Sequence, residues 1–203
     1  MPERGAGPTA TPIVEQDRIY VVGANGYVHC LDAKAGSVIW EKTIGQEYEV
    51  AEMSCRPSPL LEGSLLIVFT GAKPGATVLA LDKQTGKEVW KALDAQVSNS
   101  SPIAITSAGS RQLIVWSDNS ISSLDPANGH TFWREPMVTS SNDSTAMCSP
   151  GAKRRLFAPR WRRNSNCDLI SLSRSRTSKL LSRLNLCGED FPFWQRGHSN
   201  ERL

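Results

Sequence analysis

Short apolar runs alternate with polar turn residues along the first two thirds of this 203-residue chain. In the clearest stretch, the apolar run at residues 65–69 is followed by a Gly/Pro turn and then by a second run at 77–81. Runs of four to eight residues bounded by Gly, Pro, Asn or Asp are typical of β-strands. Residues 1–150 contain no apolar stripe of helical period and length, so the pattern predicts an all-β region.

A ten-residue phrase, Leu-Asp-x3-Gly-x3-Trp, occurs three times at spacings of 50 and 43 residues. Such spacing indicates an internal repeat. Asp suits the start of a type I turn because its carboxylate accepts a backbone N–H, and Gly suits the positive φ that follows. We expect the recurrent Trp to pack between neighbouring sheets, the alternative being a stacking platform for a ligand. The nine repeat positions are Asp32, Gly36, Trp40, Asp82, Gly86, Trp90, Asp125, Gly129 and Trp133.

Each repeat unit carries four predicted strands, and a single sheet of this size cannot bury both of its faces. Sheets stacked around an axis cover one another, which produces a β-propeller of four-stranded blades. We therefore expect an all-β fold in residues 1–150, a partial β-propeller of three four-stranded antiparallel blades near residues 11–43, 58–93 and 101–136. A fourth unit starts at Ser149-Pro150, since Ser-Pro also opens the second and third units, and the pattern then fails.

The unit at residues 58–90, which opens Ser-Pro-Leu-Leu and closes Leu-Asp-Lys-Gln-Thr-Gly-Lys-Glu-Val-Trp, resembles the PQQ-like β-propeller repeat. That family contains quinoprotein dehydrogenases, which hold pyrroloquinoline quinone (PQQ) and Ca2+, and non-catalytic BamB-like scaffolds. The chain lacks the vicinal Cys-Cys pair of the dehydrogenases, and its repeat Asp residues match turn positions. The resemblance therefore implies a non-catalytic scaffold that binds a protein partner through rim loops, with no catalytic, cofactor or metal residue assigned. The alternative is part of a PQQ-dependent oxidoreductase.

Connections between the units are expected on one rim of a propeller, where loops on a rigid scaffold often bind partners. The longest, residues 44–57, is acidic with an aromatic tip at Tyr48. It suits a basic partner or a cation, although a solvated loop is the preferred interpretation. Residues 98–101 and 139–144 are interpreted as polar turn filler rather than binding loops. Residues 71–75 lack the Lys-Ser/Thr of a phosphate loop and predict a turn between two strands.

The five cysteines are scattered and form no CxxC pair, which argues against a zinc knuckle or a disulfide framework. Cys30 is predicted to be a small core residue. Its neighbour His29 should point to the opposite face of the strand, so the two side chains would not chelate one metal ion.

Charge divides the chain near residue 150. Residues 1–150 carry 11 basic and 16 acidic residues, a net charge of −5, whereas residues 151–203 carry 12 and 4, a net charge of +8. Three interpretations of this Ser/Arg-rich tail stay open. The preferred interpretation is a frameshifted translation of a fourth blade. The second is a solvated, disordered appendage. The third interpretation, that it binds nucleic acid through phosphate contacts and stacking on Trp161, is the least favoured.

Three blades cannot close a ring, so open blade edges and an unpaired face predict self-association. The start at Thr11-Pro12 already lies in a first strand, and we expect the functional parent to be longer on both sides. No secretory signal is predicted, because residues 1–4 lead into a Gly/Pro-rich segment without an apolar core, and no apolar run reaches membrane-spanning length. The family is mostly exported to the bacterial periplasm or envelope, which is the expected location of the parent.

Overall fold

The computed structural model describes residues 10–52, 54–107 and 109–136. They form three four-stranded antiparallel sheets, each built from consecutive strands. Blade 1 comprises β1 to β4, at Ile13–Glu15, Arg18–Val22, Tyr27–Asp32 and Val38–Thr43. Blade 2 comprises β5 to β8, at Leu60–Glu62, Leu65–Ala72, Ala76–Asp82 and Glu88–Ala92. Blade 3 comprises β9 to β12, at Ile103–Ser107, Ser110–Trp116, Ser120–Leu124 and Thr131–Pro136.

The predicted fold class, an all-β partial propeller of three four-stranded antiparallel blades, is confirmed. Within the described ranges the one helix is a 3-10 turn at Ile44–Gln46, directly after β4. No helix in this part of the chain is long and apolar enough to cross a membrane. The predicted start of a fourth blade and the basic tail at 151–203 lie outside the described residues.

Strand ends differ from the sequence prediction in a consistent way. The first strand of each blade begins after Pro12, Pro59 or Pro102 rather than before it, because proline has no N–H to donate to the ladder. The fourth strands continue beyond the repeat Trp, and in blade 1 the pairing runs to Thr43, which lies opposite Tyr27. The third strand therefore has a hydrogen-bonding partner along its whole length.

The hydrophobic core lies between the blades, because alternate strand residues point to opposite faces of each sheet. The core between blades 1 and 2, here called the first junction, contains Tyr20, Val22, Val28, Cys30 and Trp40 from blade 1 and Leu66, Val68, Leu79 and Leu81 from blade 2. The second junction contains Ile67, Phe69, Val78, Ala80 and Trp90 from blade 2 and Leu113, Val115 and Leu124 from blade 3. Each of the two junctions thus buries facing surfaces of two neighbouring sheets.

Candidate functional site

The repeat Asp residues hold the turns between the third and fourth strands. The Oδ1 of Asp32 accepts the backbone N–H groups two and three residues on, at 2.9 and 2.6 Å. Asp82 repeats this arrangement and also accepts the hydroxyl of Thr85 at 2.8 Å, while Asp125 accepts one backbone N–H at 2.9 Å. In the first two turns the bonds favour the ionised carboxylate: backbone N–H groups lower the pKa of Asp32, and the Thr85 hydroxyl is the main cause that lowers the pKa of Asp82.

The repeat Gly residues have a second task that the sequence did not indicate. Gly86 has a φ of +72°, and a Cβ placed on it would lie 2.5 Å from the indole of Trp40. Gly129 has a φ of +75°, and its Cβ would lie 2.6 Å from the indole of Trp90. Each Trp therefore lies directly on the backbone of the next blade's turn, at a distance that only glycine permits.

The indole N–H groups of the two buried Trp residues have equivalent partners. Trp40 Nε1 donates to the carbonyl oxygen of Lys83 at 3.1 Å, and Trp90 Nε1 donates to that of Pro126 at 3.0 Å. Both acceptors are the residue directly after the repeat Asp. The Asp turn thus supplies both a surface and a hydrogen-bond acceptor to the preceding blade's Trp.

The repeat residues at the two ends of the array are not brought into such contacts. Gly36 has a φ of +68° but no described atom outside its own turn within 4 Å of where its Cβ would be. Trp133 is half-buried, whereas Trp40 and Trp90 are 9% and 8% exposed. The nine repeat residues consequently lie in separate turns and junctions rather than around one ligand.

The rim is defined here as the opposite end of the blades, where residues 44–57, 73–75 and 94–100 connect strands. In the connection at 44–57 the acidic residues Glu47, Glu49 and Glu52 are exposed, as a solvated loop requires, but other residues of the connection are buried or pack on blade 2. Ile44 and Cys55 are fully buried. The Tyr48 hydroxyl donates to Glu88 at 2.8 Å, and Lys91 Nζ lies 4.7 Å from the Tyr48 ring centroid. Burial, and then the Glu88 carboxylate, raise the pKa of Tyr48 to about 12.

Two cross-blade backbone bridges brace the rim. Glu49 and Lys73 exchange both backbone hydrogen bonds, at 2.9 and 3.0 Å, which ties the first connection to blade 2. Val97 forms an antiparallel bridge with Ser117, beside which Asp118 N donates to the carbonyl oxygen of Gln96 at 3.1 Å, and this ties the second connection to blade 3. Between these bridges lies a cavity of about 630 Å³, lined by Glu49, Val50, Ala51, Ser54, Arg56, Gly71, Lys73, Gln96, Val97 and Asn99.

The serine-rich segment at 98–101 is part of this braced structure and not exposed filler. Ser98 and Ser100 are buried, and the Ser98 hydroxyl donates to the carbonyl oxygen of Trp116. Residues 139–144, the similar segment, lie outside the described residues. The prediction for 71–75 agrees with the structure, where residues 73–75 join β6 to β7.

The Ser-Pro pairs that open the units also form an inter-blade contact that sequence reasoning missed. Thr11 N donates to Ser58 Oγ at 2.9 Å, and Ser58 N donates to Ser101 Oγ at 2.9 Å. The Ser hydroxyl two residues before the first strand of blades 2 and 3 thus accepts a backbone N–H from the start of the preceding unit. The sequence signal for this contact is the recurrence of Thr-Pro or Ser-Pro at the three unit starts.

The main hydrogen-bond donor at the rim is Arg56, whose buried Nε has no hydrogen-bond partner in the described part of the chain. Lys73, Gln96 and Asn99 add polar groups around the same cavity. Cys55 is a poor nucleophile, because burial raises the pKa of its thiol to about 11. The arrangement offers donors for a carboxylate or a backbone carbonyl and no activated nucleophile.

The other potential ligands are dispersed. His29 Nε2 lies 3.6 Å from Glu41, while its neighbour Cys30 is fully buried on the opposite face. Among residues 10–52, 54–107 and 109–136, no group of three or more His, Cys, Asp or Glu side chains is placed to hold a metal ion.

Comparison with known proteins connects this geometry to a family. The family model described as outer membrane protein assembly factor BamB matches residues 2–166. The outer membrane protein assembly factor BamB of Burkholderia pseudomallei is 37% identical over 90 residues, which cover 44% of this chain and 20% of that protein. A 1-butanol dehydrogenase (cytochrome c) of Thauera butanivorans is 32% identical over 111 residues, which cover 52% of this chain and 15% of that protein.

This chain therefore spans a fifth or less of the length of these curated relatives. Among solved structures, the quinohemoprotein alcohol dehydrogenase from Comamonas testosteroni has a TM-score of 0.50 and 24% identity, over 66% of this chain and 21% of that chain. At this identity the likeness concerns the fold alone. The relatives include both classes that the repeat resemblance implied, a BamB protein and a dehydrogenase.

Proposed function

The chain belongs to the outer membrane protein assembly factor BamB family, and from that premise we propose that it is a non-catalytic β-propeller scaffold of the cell envelope. In this proposal it binds a protein partner through the rim. The observation that carries the proposal is the cavity of about 630 Å³ lined by the connections that follow blades 1 and 2 and by the end of β6 and the β6–β7 turn. Loops held in place by a rigid scaffold are common binding surfaces.

The rim is pre-organised for binding. The Glu49–Lys73 and Val97–Ser117 bridges hold its connections in one conformation, so a partner would not have to bear the entropic cost of ordering them. Arg56 supplies a buried donor without a partner, and an unmade hydrogen bond in a buried site favours a ligand that completes it. A partner segment that presents carboxylate or main-chain carbonyl oxygens has the required chemistry.

The dehydrogenase relative makes a PQQ-binding function the second candidate. Ca2+ takes six to eight oxygen ligands from several segments. Glu49 is the one acidic residue among those that line the rim cavity, and the repeat Asp carboxylates lie at the opposite end of the blades, where turn N–H groups use them. The described residues therefore do not fit a Ca2+ and PQQ site, and the scaffold is the preferred function.

A site-specific photo-cross-linking experiment tests the rim. A cross-linking amino acid is placed at Gln96, in the rim cavity, and in a matched variant at Gln84, in the Asp82 turn at the other end. In bacterial envelope extracts we expect the Gln96 variant, and not the Gln84 variant, to form a product that contains an outer-membrane protein or an assembly component. Arg56→Gln should reduce that product several-fold. Equal labelling from both positions would contradict binding at the rim.

A ligand titration separates the two functional classes. A quinoprotein is stabilised by PQQ with Ca2+, because a ligand that binds only the folded state raises the melting temperature with its concentration. We expect no saturable rise for this chain. A saturable rise would replace the scaffold proposal with the dehydrogenase candidate.

A further inference from the structure

We propose that the rim cavity binds a carboxylate of the partner, with Arg56 as its main ligand and Lys73 as a second cation. This inference rests on the rim function proposed above and specifies the chemistry by which the partner is recognised. The cavity lies over blade 2, between the connections that lead into and out of that blade. Its walls therefore belong to the middle of the described array, between blades 1 and 3.

Arg56 is a cation that is partly removed from water and has no acidic partner. Its Nε is buried and donates to no group, and its guanidinium forms no ion pair within residues 10–52, 54–107 and 109–136. A guanidinium presents its N–H groups as a planar fork that matches the two oxygens of a carboxylate. Away from bulk water the attraction between such charges is stronger, because the local dielectric constant is lower. A carboxylate is therefore the ligand that Arg56 lacks.

Lys73 and Glu49 determine the charge beside Arg56. The two residues face each other across an antiparallel backbone bridge, but no ion pair joins their side chains in the structure, and both are exposed. Together with Arg56 they give the cavity lining two cations and one anion. The lining thus favours an anionic ligand, and Glu49 competes with that ligand for Lys73.

The remaining walls are partly apolar. Val50 packs against the core of the first junction, and Val97 packs against the core of the second. Gly71 brings the backbone of blade 2 close to Val97, since a Cβ placed on it would lie 3.3 Å from the Val97 side chain. A cavity of about 630 Å³ is within the size range of pockets that hold drug-sized ligands. It can therefore take a carboxylate together with an aliphatic side chain beside it.

A carboxylate suits this lining better than a neutral carbonyl oxygen. Both accept a hydrogen bond from a guanidinium, but only the carboxylate adds the attraction between opposite charges. An acidic side chain within a partner segment and a carboxylate at the end of a chain offer the same chemistry to Arg56. The inferred ligand is thus a carboxylate flanked by apolar groups, and the experiment below separates its two sources.

An NMR titration of the ¹⁵N-labelled 203-residue chain tests the inference. The probes are two end-blocked peptides, Gly-Val-Asp-Val-Gly and Gly-Val-Asn-Val-Gly, which differ in the carboxylate alone. We expect saturable shifts of backbone amide signals around the cavity, such as those of Ser54 and Gln96, with about tenfold higher affinity for the Asp peptide. The Asn peptide with a free C-terminal carboxylate shows whether a chain end binds as tightly as an acidic side chain.

Variants assign the binding to the named residues. Arg56→Gln should weaken binding of the Asp peptide about tenfold, and Arg56→Lys should restore only part of it, because an ammonium lacks the planar fork. Glu49→Gln should tighten binding severalfold by removing the competitor for Lys73, an effect that damage to the fold would not produce. Lys87→Gln, at an exposed lysine beside the turn at the other end of blade 2, is the matched control and should leave the affinity unchanged. Far-UV circular dichroism verifies that the variants fold.

Several results would overturn the inference. These are no saturable binding of the Asp peptide, equal affinity for the Asp and Asn end-blocked peptides, equal affinity of the wild type and Arg56→Gln, or tighter binding of inorganic phosphate than of the Asp peptide. If one of them occurs while Gln96 still cross-links a protein partner, the carboxylate inference fails and the rim function stands. Binding of the Asp peptide at Arg56 without any cross-linked protein would refute the rim function alone.

Discussion

The first and second junctions share one contact and differ in what surrounds it. Both place a Trp on a Gly of the next blade and close with an indole hydrogen bond. In the first junction, the facing position on the third strand of blade 2 is Leu79, which is fully buried. The equivalent position in the second junction is Ser122, whose buried hydroxyl has no hydrogen-bond partner among the described residues. The repeat phrase therefore sets the geometry of a junction, while residues between the phrases set its strength.

Ion pairs across the junctions do not change which of the two is expected to be the more stable. Lys83 lies 2.8 Å from Glu15 across the first junction, and Arg111 lies 2.6 Å from Glu62 across the second. Partly exposed pairs of this kind contribute about 0.2–1 kcal/mol each. That is smaller than the contribution of a buried leucine, so we expect the first junction to be the more stable one.

The largest expected effect comes from removing the junction Trp residues. Trp40→Ala and Trp90→Ala should each lower the free energy of unfolding by about 3–5 kcal/mol, the cost of deleting a large buried aromatic side chain. Trp40→Ala should cost more, because Tyr20 packs 6.2 Å from Trp40 and donates to the same Lys83 carbonyl. Urea denaturation measures both values. Val89→Ala, at a position 53% exposed, is the control and should change little; a larger loss for Trp90→Ala would reverse the ranking of the junctions.

The next test replaces by alanine the two residues that distinguish the junctions. Leu79→Ala should cost about 2–5 kcal/mol, because it leaves a cavity in the apolar junction. Ser122→Ala should be neutral or slightly stabilising, since it removes a buried hydroxyl that forms no bond. Thermal and urea unfolding of the two variants give the comparison. If Ser122→Ala destabilised the chain by more than about 1 kcal/mol, the hydroxyl would have a partner and the contrast would be lost.

Substituting the junction glycine isolates the close approach itself. Gly86→Ala should cost about 2–4 kcal/mol, from overpacking against Trp40 together with a positive φ that alanine disfavours. Gly63→Ala has a similar positive φ but open space around it, so it should show the backbone cost alone, about 1 kcal/mol. The difference between the two unfolding free energies measures the Trp contact. Equal costs would mean that the indole moves aside freely.

The smallest expected effect is on the pH dependence of stability, through Asp82, whose turn carries the Gly86 and the Lys83 carbonyl that Trp40 contacts. The pKa of Asp82 lies below its ordinary value of about 3.9, chiefly because Thr85 donates to its carboxylate. A carboxyl with a lowered pKa in the folded state stabilises the fold above the unfolded pKa, and this contribution is lost as pH falls through the folded pKa. We therefore expect stability to fall below about pH 4, and less steeply in Asp82→Asn. Urea unfolding of both chains at a series of pH values measures this, and an equally steep fall in Asp82→Asn would contradict the role given to the carboxylate.

The sequence predicted the repeated elements well and the connections poorly. Strand order and the Asp-Gly turns follow from residues within a few positions of one another, so one unit is enough to predict them. The contact of Tyr48 with Glu88 and the burial of Ser98 depend on the adjacent blade, which no local pattern reveals. The braced rim that forms the proposed binding site was for this reason interpreted as solvated loop and polar filler.

By itself, the sequence determined the all-β fold, the family and the position of every Asp-Gly turn, because a strict repeat imposes one local structure three times. Only the tertiary structure decided which Trp meets which Gly, and that Gly36 and Trp133 remain without such partners in the described residues. Those contacts join residues more than 35 positions apart in the chain, which meet only because the blades stack. The same phrase therefore forms a buried Trp–Gly contact where two described blades meet, and a turn without that contact at Gly36.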